Sequence, residues 1–363
     1  MNLKDKISAF SALGSFLRAF HVGESATGGS MEEKLDQAIT LSFQYNPWFT
    51  PSQISFALKH IGLQLQQDQL EQWLSDYQEN IANVQHPRKV GIVMAGNIPA
   101  VGFHDLLCVL MSGHQALVKL SSNDRFLIPF VADFLITFDK RFSALIDIID
   151  KPLSGFDAVI ATGSNNTSRY FESYFSKVPH IIRKNRNSVA VLSGKEGAED
   201  LSNLCEDIFR YFGLGCRNVS RLFVPVGYSF DDLLKASEAY SEFAFHHKYA
   251  SNYIYYQTIF LMNGQRFCDN GILLLKKENA YGSPVSVVYY TEYADIKEVN
   301  NQLLHDSDQL QCILSNIPEI AGAKPFGTSQ IPSLHDYADG VDTMAFLGEL
   351  TNFITGKKTL SND

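Results

Sequence analysis

Cysteine is scarce in this chain, and basic residues are outnumbered by acidic ones. The 363 residues include five cysteines, none in CxxC spacing, so neither a disulfide framework nor a zinc cluster is indicated. Thirty Lys and Arg against 39 Asp and Glu give a formal net charge of −9. A nucleic-acid-binding protein generally needs a basic surface, so that class is disfavoured.

Long apolar runs are also missing. A membrane-spanning helix needs about 20 apolar residues, and the most apolar stretch, residues 126–138, is interrupted by Pro129 and Asp133. The N-terminus, MNLKDKISAF, lacks the layout of a secretion signal. With 45% hydrophobic residues the chain has ample material for a core. We therefore expect a cytoplasmic protein with reduced cysteines and no membrane span.

Secondary-structure signals change along the chain. Residues 1–85 carry apolar side chains at helical spacing, with helices expected over 32–43 and 51–80 and a Gly-Ser-rich loop over 23–30. From residue 88, short β-branched strands alternate with helices, and no connection is short enough for a hairpin. This rhythm predicts an α/β fold with a parallel sheet, whose ligands bind at the carboxyl ends of the strands. The strands predicted in the chain cover 89–95, 115–120, 156–161, 188–193, 221–225, 258–262, 272–275 and 285–290, and the helices cover 102–111, 125–138, 165–175, 198–211 and 231–245.

Cys216 is the best candidate nucleophile. It follows two glycines in the sequence Phe-Gly-Leu-Gly-Cys-Arg-Asn, between a predicted helix and a strand. Glycines permit a tight bend beside the sulfur, and the adjacent Arg217 favours a thiolate. The alternative is a small residue buried at a packed turn, because most free cysteines are structural. The other four cysteines lie in apolar patterns typical of a core.

Three further motifs follow predicted parallel strands. Asn97 comes directly after the first strand and is positioned to donate to an oxyanion, or else it forms an ordinary turn before Pro99. Lys119 lies at the carboxyl end of the second strand. There its ammonium group is interpreted either as a contact to a ribose or phosphate or as a solvated strand-end lysine. Gly163 and Ser164 begin a helix after the third strand, as phosphate contacts or as a simple cap.

Two basic clusters have weaker signals. The run His246-His247-Lys248 ends a predicted helix, so capping of that C-terminus is favoured over a role as base or ligand. The run Arg183-Lys184-Asn185-Arg186 is more typical of a solvated loop than of a phosphate site.

In this order the motifs resemble the aldehyde dehydrogenase superfamily, and within it the acyl-CoA reductase branch that includes the LuxC fatty-acid reductase. The resemblance runs over about residues 85–347 and is most specific at residues 325–347. The other motifs that carry it are GNIPAVGFHDLLCVLMSGHQALVKLSSND, ATGSNNTSRYF and FGLGCRNVSRLFVP.

The resemblance implies four parts of the chain. These are a helical segment (1–85), a Rossmann-like cofactor domain (86–187), a catalytic domain (188–324) and a C-terminal segment that returns to the cleft (325–363). It also implies the chemistry. Cys216 attacks a thioester, Asn97 and the Cys216 backbone N–H form the oxyanion hole, and a nicotinamide cofactor reduces the acyl-enzyme to an aldehyde. Ser164 would contact the cofactor's pyrophosphate, and Lys119 the adenosine ribose.

Two departures from the superfamily's pattern refine this expectation. Residues 181–186, where hydrolytic members carry a general-base glutamate, contain no carboxylate, which favours reduction over hydrolysis of the thioester. Ser122 stands where NAD-preferring members place a glutamate, so a 2′-phosphate binds without repulsion and NADPH is predicted.

The sequence therefore predicts NADPH-dependent reduction of an acyl-CoA, with a fatty acyl group expected. The resemblance also implies that the protein forms a homo-oligomer and that an acyl-activating synthetase is its protein partner. Two alternatives stay open. One is a cysteine acyltransferase or thioesterase without a redox step, with His246 or His247 as its base. The other is a non-catalytic acyl-binding subunit.

Overall fold

The chain divides into two compact units. The computed structural model describes residues 1–22, 30–82, 84, 86–163 and 165–350, so most of the predicted loop at 23–30 lies outside the described residues. One unit comprises Met1–Lys184 together with the chain from Ser333, and the other comprises Asn185–Pro332. Among the residues described, no helix is both long enough and apolar enough to cross a membrane.

Five helices open the first unit, and side-chain caps set where three of them begin. Asn2, Ser30 and Thr50 each accept a hydrogen bond from the backbone N–H three residues later, which satisfies a donor that a helix start leaves unpaired. The helical pattern predicted over 51–80, with a start at Pro51, is confirmed, and the structure divides this stretch into three helices. The five helices are α1 (Leu3–Ala19), α2 (Met31–Tyr45), α3 (Pro51–Gln64), α4 (Gln67–Ser75) and α5 (Gln78–Ala82).

A five-stranded parallel sheet follows these helices, and it confirms the predicted α/β class. The strand order is β3-β2-β1-β4-β5. The two edge strands, β3 and β5, are short and lack the apolar runs that revealed the other three. The elements are β1 (Lys89–Val93), α6 (Phe103–Met111), β2 (Gln115–Lys119), α7 (Leu127–Phe138), β3 (Ile146–Ile148), β4 (Ala158–Thr162), α8 (Asn165–Phe175) and β5 (His180–Arg183).

The strand order reverses direction at β1. From β1 the chain first builds outward through β2 to β3, and then returns to place β4 on the other side of β1. Val93 pairs with both Lys119 and Ala161, so the carboxyl ends of β1, β2 and β4 lie side by side. In open α/β sheets this switch point is the usual ligand crevice.

The second unit contains a six-stranded sheet of order β11-β6-β7-β10-β9-β8, parallel except for the antiparallel pair β8 and β9. Its elements are β6 (Asn187–Val191), α9 (Ala198–Phe209), β7 (Val219–Pro225), α10 (Asp231–Ser237), α11 (His247–Met262), β8 (Phe267–Asp269), β9 (Leu274–Lys277), β10 (Val287–Tyr293), α12 (Ile296–His305) and β11 (Leu310–Leu314).

Two predictions in this second unit are wrong. The strand expected over 258–262 is the last part of α11, whose buried residues Tyr249, Tyr253 and Phe260 follow helical spacing. The helix expected over 231–245 ends at Ser237 and continues as 3₁₀ turns. A last helix, α13 (Thr343–Glu349), belongs to the first unit, and Asp342 caps its start by accepting from Ala345 N–H at 2.9 Å.

Candidate active site

The loop that carries Cys216 begins in an unusual backbone conformation. After α9, a 3₁₀ turn places Tyr211, Phe212 and Gly213 consecutively at positive φ, of 54°, 58° and 76°. This region costs an L-residue about 1–2 kcal/mol, so the surrounding packing must hold the two aromatic residues there. Phe212 is buried, and its ring centroid lies 4.4 Å from those of Phe243 and His246. The approach to the cysteine is therefore fixed by packing.

Asn218 closes the same loop on its other side. Its Nδ2 donates to the carbonyls of Asp207, Ile208 and Arg210 at 3.0, 3.3 and 2.8 Å, and its Oδ1 accepts from Gly215 N–H at 2.8 Å. One buried amide thus ties the end of α9 to the residue before Cys216. The carbonyl of Cys216 itself accepts from Ser188 Oγ at 2.9 Å.

Exposure separates Cys216 from most of the other cysteines. Cys108, Cys205 and Cys312 are buried, whereas Cys216 is partly exposed. Burial raises the thiol pKa of Cys205 to about 12, and that of Cys108 well above its usual range. Cys268 is also partly exposed, so the prediction that all four others are core is wrong for this residue. A partly exposed cysteine in a fixed loop is suited to nucleophilic attack.

Arg217 makes a contact that the sequence did not indicate. Its Nη1 lies 3.3 Å from the Sγ of Cys312, so this guanidinium faces a second cysteine.

In the first unit, Asn97 lies exposed in the loop between β1 and α6. The preceding Gly96 is packed so closely that an added Cβ would lie 2.5 Å from Ser121 Oγ. Three residues after Asn97, Ala100 has a φ of 54°, and its N–H donates to Asp124 Oδ2 at 2.7 Å. Contacts with the loop after β2 therefore hold this loop in place.

Two of the predicted cofactor residues lie at the end of β2 and in the loop that follows it. Lys119 is partly buried, and its Nζ donates to the Asp150 carbonyl. Ser122 is exposed, and its carbonyl accepts from Arg125 Nε at 3.1 Å. Arg125, which has no distinctive signal in the sequence, thus brings a second cation to this edge. An arginine near this position is typical of 2′-phosphate recognition.

Gly163 directly follows β4 at the same edge of the sheet. A Cβ there would lie 3.0 Å from both Thr167 Cβ and Phe171 Cε2, so a glycine lets the strand end approach α8 closely. Ser164, the predicted pyrophosphate contact, lies outside the described residues. The structure thus brings Asn97, Lys119, Ser122 and Gly163 to one edge of the first unit, and builds Cys216 into the second.

The solvated loop predicted at residues 183–186 is wrong for Arg183. This residue is 6% exposed, its Nη1 lies 2.5 Å from Asp105 Oδ2, and its Nη2 donates to Thr343 Oγ1 at 2.9 Å. Its neighbour Lys184 pairs with Glu172 at 2.9 Å on the surface. The Arg183 guanidinium therefore links the end of β5 to the first turn of α6 and to the start of α13.

The helix end predicted at His246 and His247 is a helix start instead. His246 precedes α11, and its Nδ1 accepts from Tyr249 N–H at 3.3 Å, which fixes this ring as an N-cap. Its imidazole also packs on the ring of Phe212. Capping is the role that the structure supports, at the opposite helix terminus from the one predicted.

Residues 325–347 contain several polar groups with no helix or strand pattern, and most of them hold other segments. Asp207 accepts from Gly327 N–H at 2.5 Å, and from Ser329 N–H and Oγ at 3.0 and 2.6 Å. Asp339 accepts from Lys184 N–H at 3.2 Å. His104 contacts the Leu334 carbonyl at 3.0 Å. The motif thus anchors the C-terminal part of the chain within each unit.

The chain belongs to the acyl-CoA reductase (LuxC) family, whose model matches residues 31–241. That membership assigns it to oxidoreductases that act on acyl or aldehyde groups. No curated protein sequence matches the chain significantly.

Solved aldehyde dehydrogenases share the fold. The NAD⁺ complex of the Bacillus cereus enzyme has a TM-score of 0.58 at 13% identity, covering 88% of this chain and 73% of that one. KauB from Pseudomonas aeruginosa has 0.61 at 11% identity, covering 88% and 77%. A mutant of AldC from Pseudomonas syringae, with NAD⁺ and octanal, has 0.56 at 12% identity, covering 87% and 77%.

Proposed function

We propose that this protein reduces an acyl-CoA thioester to the corresponding aldehyde with NADPH, through a covalent intermediate on Cys216. The observation that carries the proposal is the Cys216 loop, which presents a partly exposed cysteine from a backbone fixed by Asn218 and Ser188. Membership of an acyl-CoA reductase family supports the substrate class.

In the proposed reaction, the Cys216 thiolate adds to the thioester carbonyl. Asn97 and the Cys216 backbone N–H stabilise the resulting oxyanion. Collapse of this adduct breaks the bond to the CoA sulfur, which leaves as a thiolate and takes up a proton, and Cys216 retains the acyl group. When bound, the reduced nicotinamide cofactor supplies the hydride that adds to the acyl carbon. Cleavage of the carbon–sulfur bond then releases the aldehyde and regenerates the Cys216 thiolate.

The carboxyl edge of the first sheet fits a phosphorylated cofactor. The switch point between β2, β1 and β4 is the position where such sheets bind nucleotides. Ser122 offers a hydroxyl in place of a carboxylate, and Arg125 lies against its carbonyl. These two residues favour NADPH over NADH. Lys119 as a ribose contact, Ser164 as a pyrophosphate contact and the return of residues 325–363 to a cleft remain predictions.

An aliphatic acyl group is the proposed substrate class. The fold accepts such a chain in a structural neighbour, since the mutant AldC binds octanal together with NAD⁺. The homo-oligomer and the acyl-activating synthetase also remain predictions, and size-exclusion chromatography with light scattering would test both, with the chain alone and mixed with a synthetase.

The direct test is mass spectrometry of the protein incubated with an acyl-CoA in the absence of any nicotinamide. We expect one acyl adduct, located on Cys216, and none in Cys216→Ala. Cys268→Ala is the matched control because Cys268 is the other partly exposed cysteine of the described chain. This variant should still form the adduct on Cys216. Adding NADPH should then discharge the adduct as aldehyde. An adduct that persists in Cys216→Ala would overturn the mechanism, and repeated CoA release without NADPH would indicate a thioesterase.

A further inference from the structure

Asp124 is a buried carboxylate in the loop after β2, and it joins this loop to the Asn97 loop of the proposed site. It is 4% exposed, and it follows the segment that carries Lys119 and Ser122. Its Oδ2 accepts from Ala100 N–H at 2.7 Å, across to the loop that carries Asn97. Burying a carboxylate costs free energy, and here backbone N–H groups, not a charged side chain, offset part of that cost.

The backbone that Asp124 holds is one that an alanine rarely adopts. Ala100 lies at a φ of 54°, directly after Pro99 and three residues after Asn97. Such a conformation persists only where the surroundings fix it. A hydrogen bond to a charged acceptor is about twice as strong as one between neutral groups, so the ionised Asp124 is well suited to this task.

A second contact joins the same two loops. Gly96, immediately before Asn97, packs against the side chains of Ser121 and Asn123, where an added Cβ would lie 2.5 and 3.2 Å away. The Asn97 loop is therefore held on both sides of Asn97 by the loop after β2. We therefore expect a change in the position of the loop after β2 to displace Asn97.

We propose that Asp124 is a positioning residue that sets the Asn97 amide for oxyanion stabilisation and couples it to the cofactor loop. This inference rests on the proposed function, in which Asn97 is the oxyanion donor. Displacement of a catalytic group by about 1 Å can cost roughly a hundredfold in rate, so a weakened hold on the turn is expected to be measurable.

The charge state of Asp124 gives the proposal a specific signature. Burial raises the pKa of its carboxyl to about 6, with the backbone N–H groups of Ala100 and Leu127 opposing the shift. Within the described chain, no charged side chain contributes to this pKa. Below about pH 6 the residue becomes neutral, and wild type then resembles Asp124→Asn.

The experiment measures the rate of Cys216 acylation by an acyl-CoA in Asp124→Asn, Asn97→Ala and the double variant, across pH. At about pH 7.5 we expect Asp124→Asn to be roughly tenfold slower than wild type. The ratio should approach one as the pH falls below about 6, the pKa of Asp124. In the Asn97→Ala background, Asp124→Asn should change the rate little, because both substitutions affect one interaction. Asp139→Asn is the control, since Asp139 also accepts a backbone N–H, at 2.9 Å from Arg141 N.

Each outcome is decisive. An equal rate loss from Asp124→Asn in both backgrounds, or a ratio independent of pH, would overturn the positioning role while leaving the proposed function intact. Failure of wild type to form any adduct on Cys216 would overturn both.

Discussion

The indole N–H of Trp73 donates to the hydroxyl of Tyr337 at 2.8 Å, and this bond ties α4 to the C-terminal motif. The hydroxyl of Tyr337 in turn donates to Tyr77, at 3.0 Å, and Tyr77 donates to Asp342, at 2.7 Å. The chain of bonds ends at the cap of α13. Residues about 260 positions apart in sequence thus form one buried polar network in the first unit.

We expect Tyr337→Phe to destabilise the protein by about 1–3 kcal/mol, because it leaves the fully buried Trp73 donor without an acceptor. Urea unfolding followed by tryptophan fluorescence measures this change. Tyr170→Phe, on an exposed residue, should alter the free energy of unfolding by no more than about 0.5 kcal/mol. Equal effects of the two substitutions would contradict a structural role for the network.

The sequence predicts the central strands of the parallel sheet well because their burial depends on local composition. β1, β2 and β4 are apolar, and the helix predicted over 165–175 matches α8 at both ends. Prediction from the sequence fails where contacts between distant residues determine the secondary structure. α11 resembles a strand locally around Thr258, and its helical burial is set by the sheet beneath it. The roles that we propose for Asp124 and Arg125 depend on contacts between loops, which a single sequence does not reveal.

Asn218 offers a test of how the Cys216 loop is held. Asn218→Ala removes donors from three carbonyls and the acceptor for Gly215 N–H, so the loop loses its fixed conformation. We expect Cys216 acylation to slow by about tenfold or more, measured by mass spectrometry under single-turnover conditions.

Asn270→Ala is the matched control for this experiment. Asn270 is another amide of the second unit that joins two segments, donating to the Leu234 carbonyl and Ser237 Oγ at 2.9 and 2.8 Å. Its loss should lower stability but leave the acylation rate of the folded enzyme unchanged. A comparable slowing in both variants would mean that Asn218 acts only through global stability.

The raised pKa of Asp207 predicts that the free energy of unfolding depends on pH. Burial raises the pKa of its carboxyl from 3.8 to about 6, despite hydrogen bonds from Gly327 and Ser329. The folded state therefore binds this proton more tightly than the unfolded state does. The stability that the proton contributes is complete below about pH 4 and is lost as the pH rises through 6. For this group alone the loss is about 3 kcal/mol.

Urea titrations between about pH 4 and 7 measure this loss, with Asp207→Asn as the comparison. The variant should show a smaller decline in unfolding free energy over that range, whatever its absolute stability. An unchanged slope would show that Asp207 ionises normally in the folded protein. Asp124, whose carboxyl pKa is raised for the same reason, contributes to the slope that remains in the variant.

Ser122 and Arg125 determine the cofactor preference that we propose. Ser122→Glu places a carboxylate where a 2′-phosphate is expected, and we predict at least a tenfold lower kcat/KM for NADPH with little change for NADH. Arg125→Ala should act in the same direction by removing the neighbouring cation, whose Nε binds the Ser122 carbonyl.

Ser143→Glu is the control for this prediction. It adds the same charge at another exposed serine of the first unit, and should leave the kcat/KM for both cofactors unchanged. Initial-rate kinetics with each cofactor at saturating acyl-CoA provide the measurement, and wild type with equal kcat/KM for the two cofactors would refute the preference. Loss of activity with both cofactors in Ser122→Glu, but not in Ser143→Glu, would instead assign Ser122 to a feature that NADH and NADPH share.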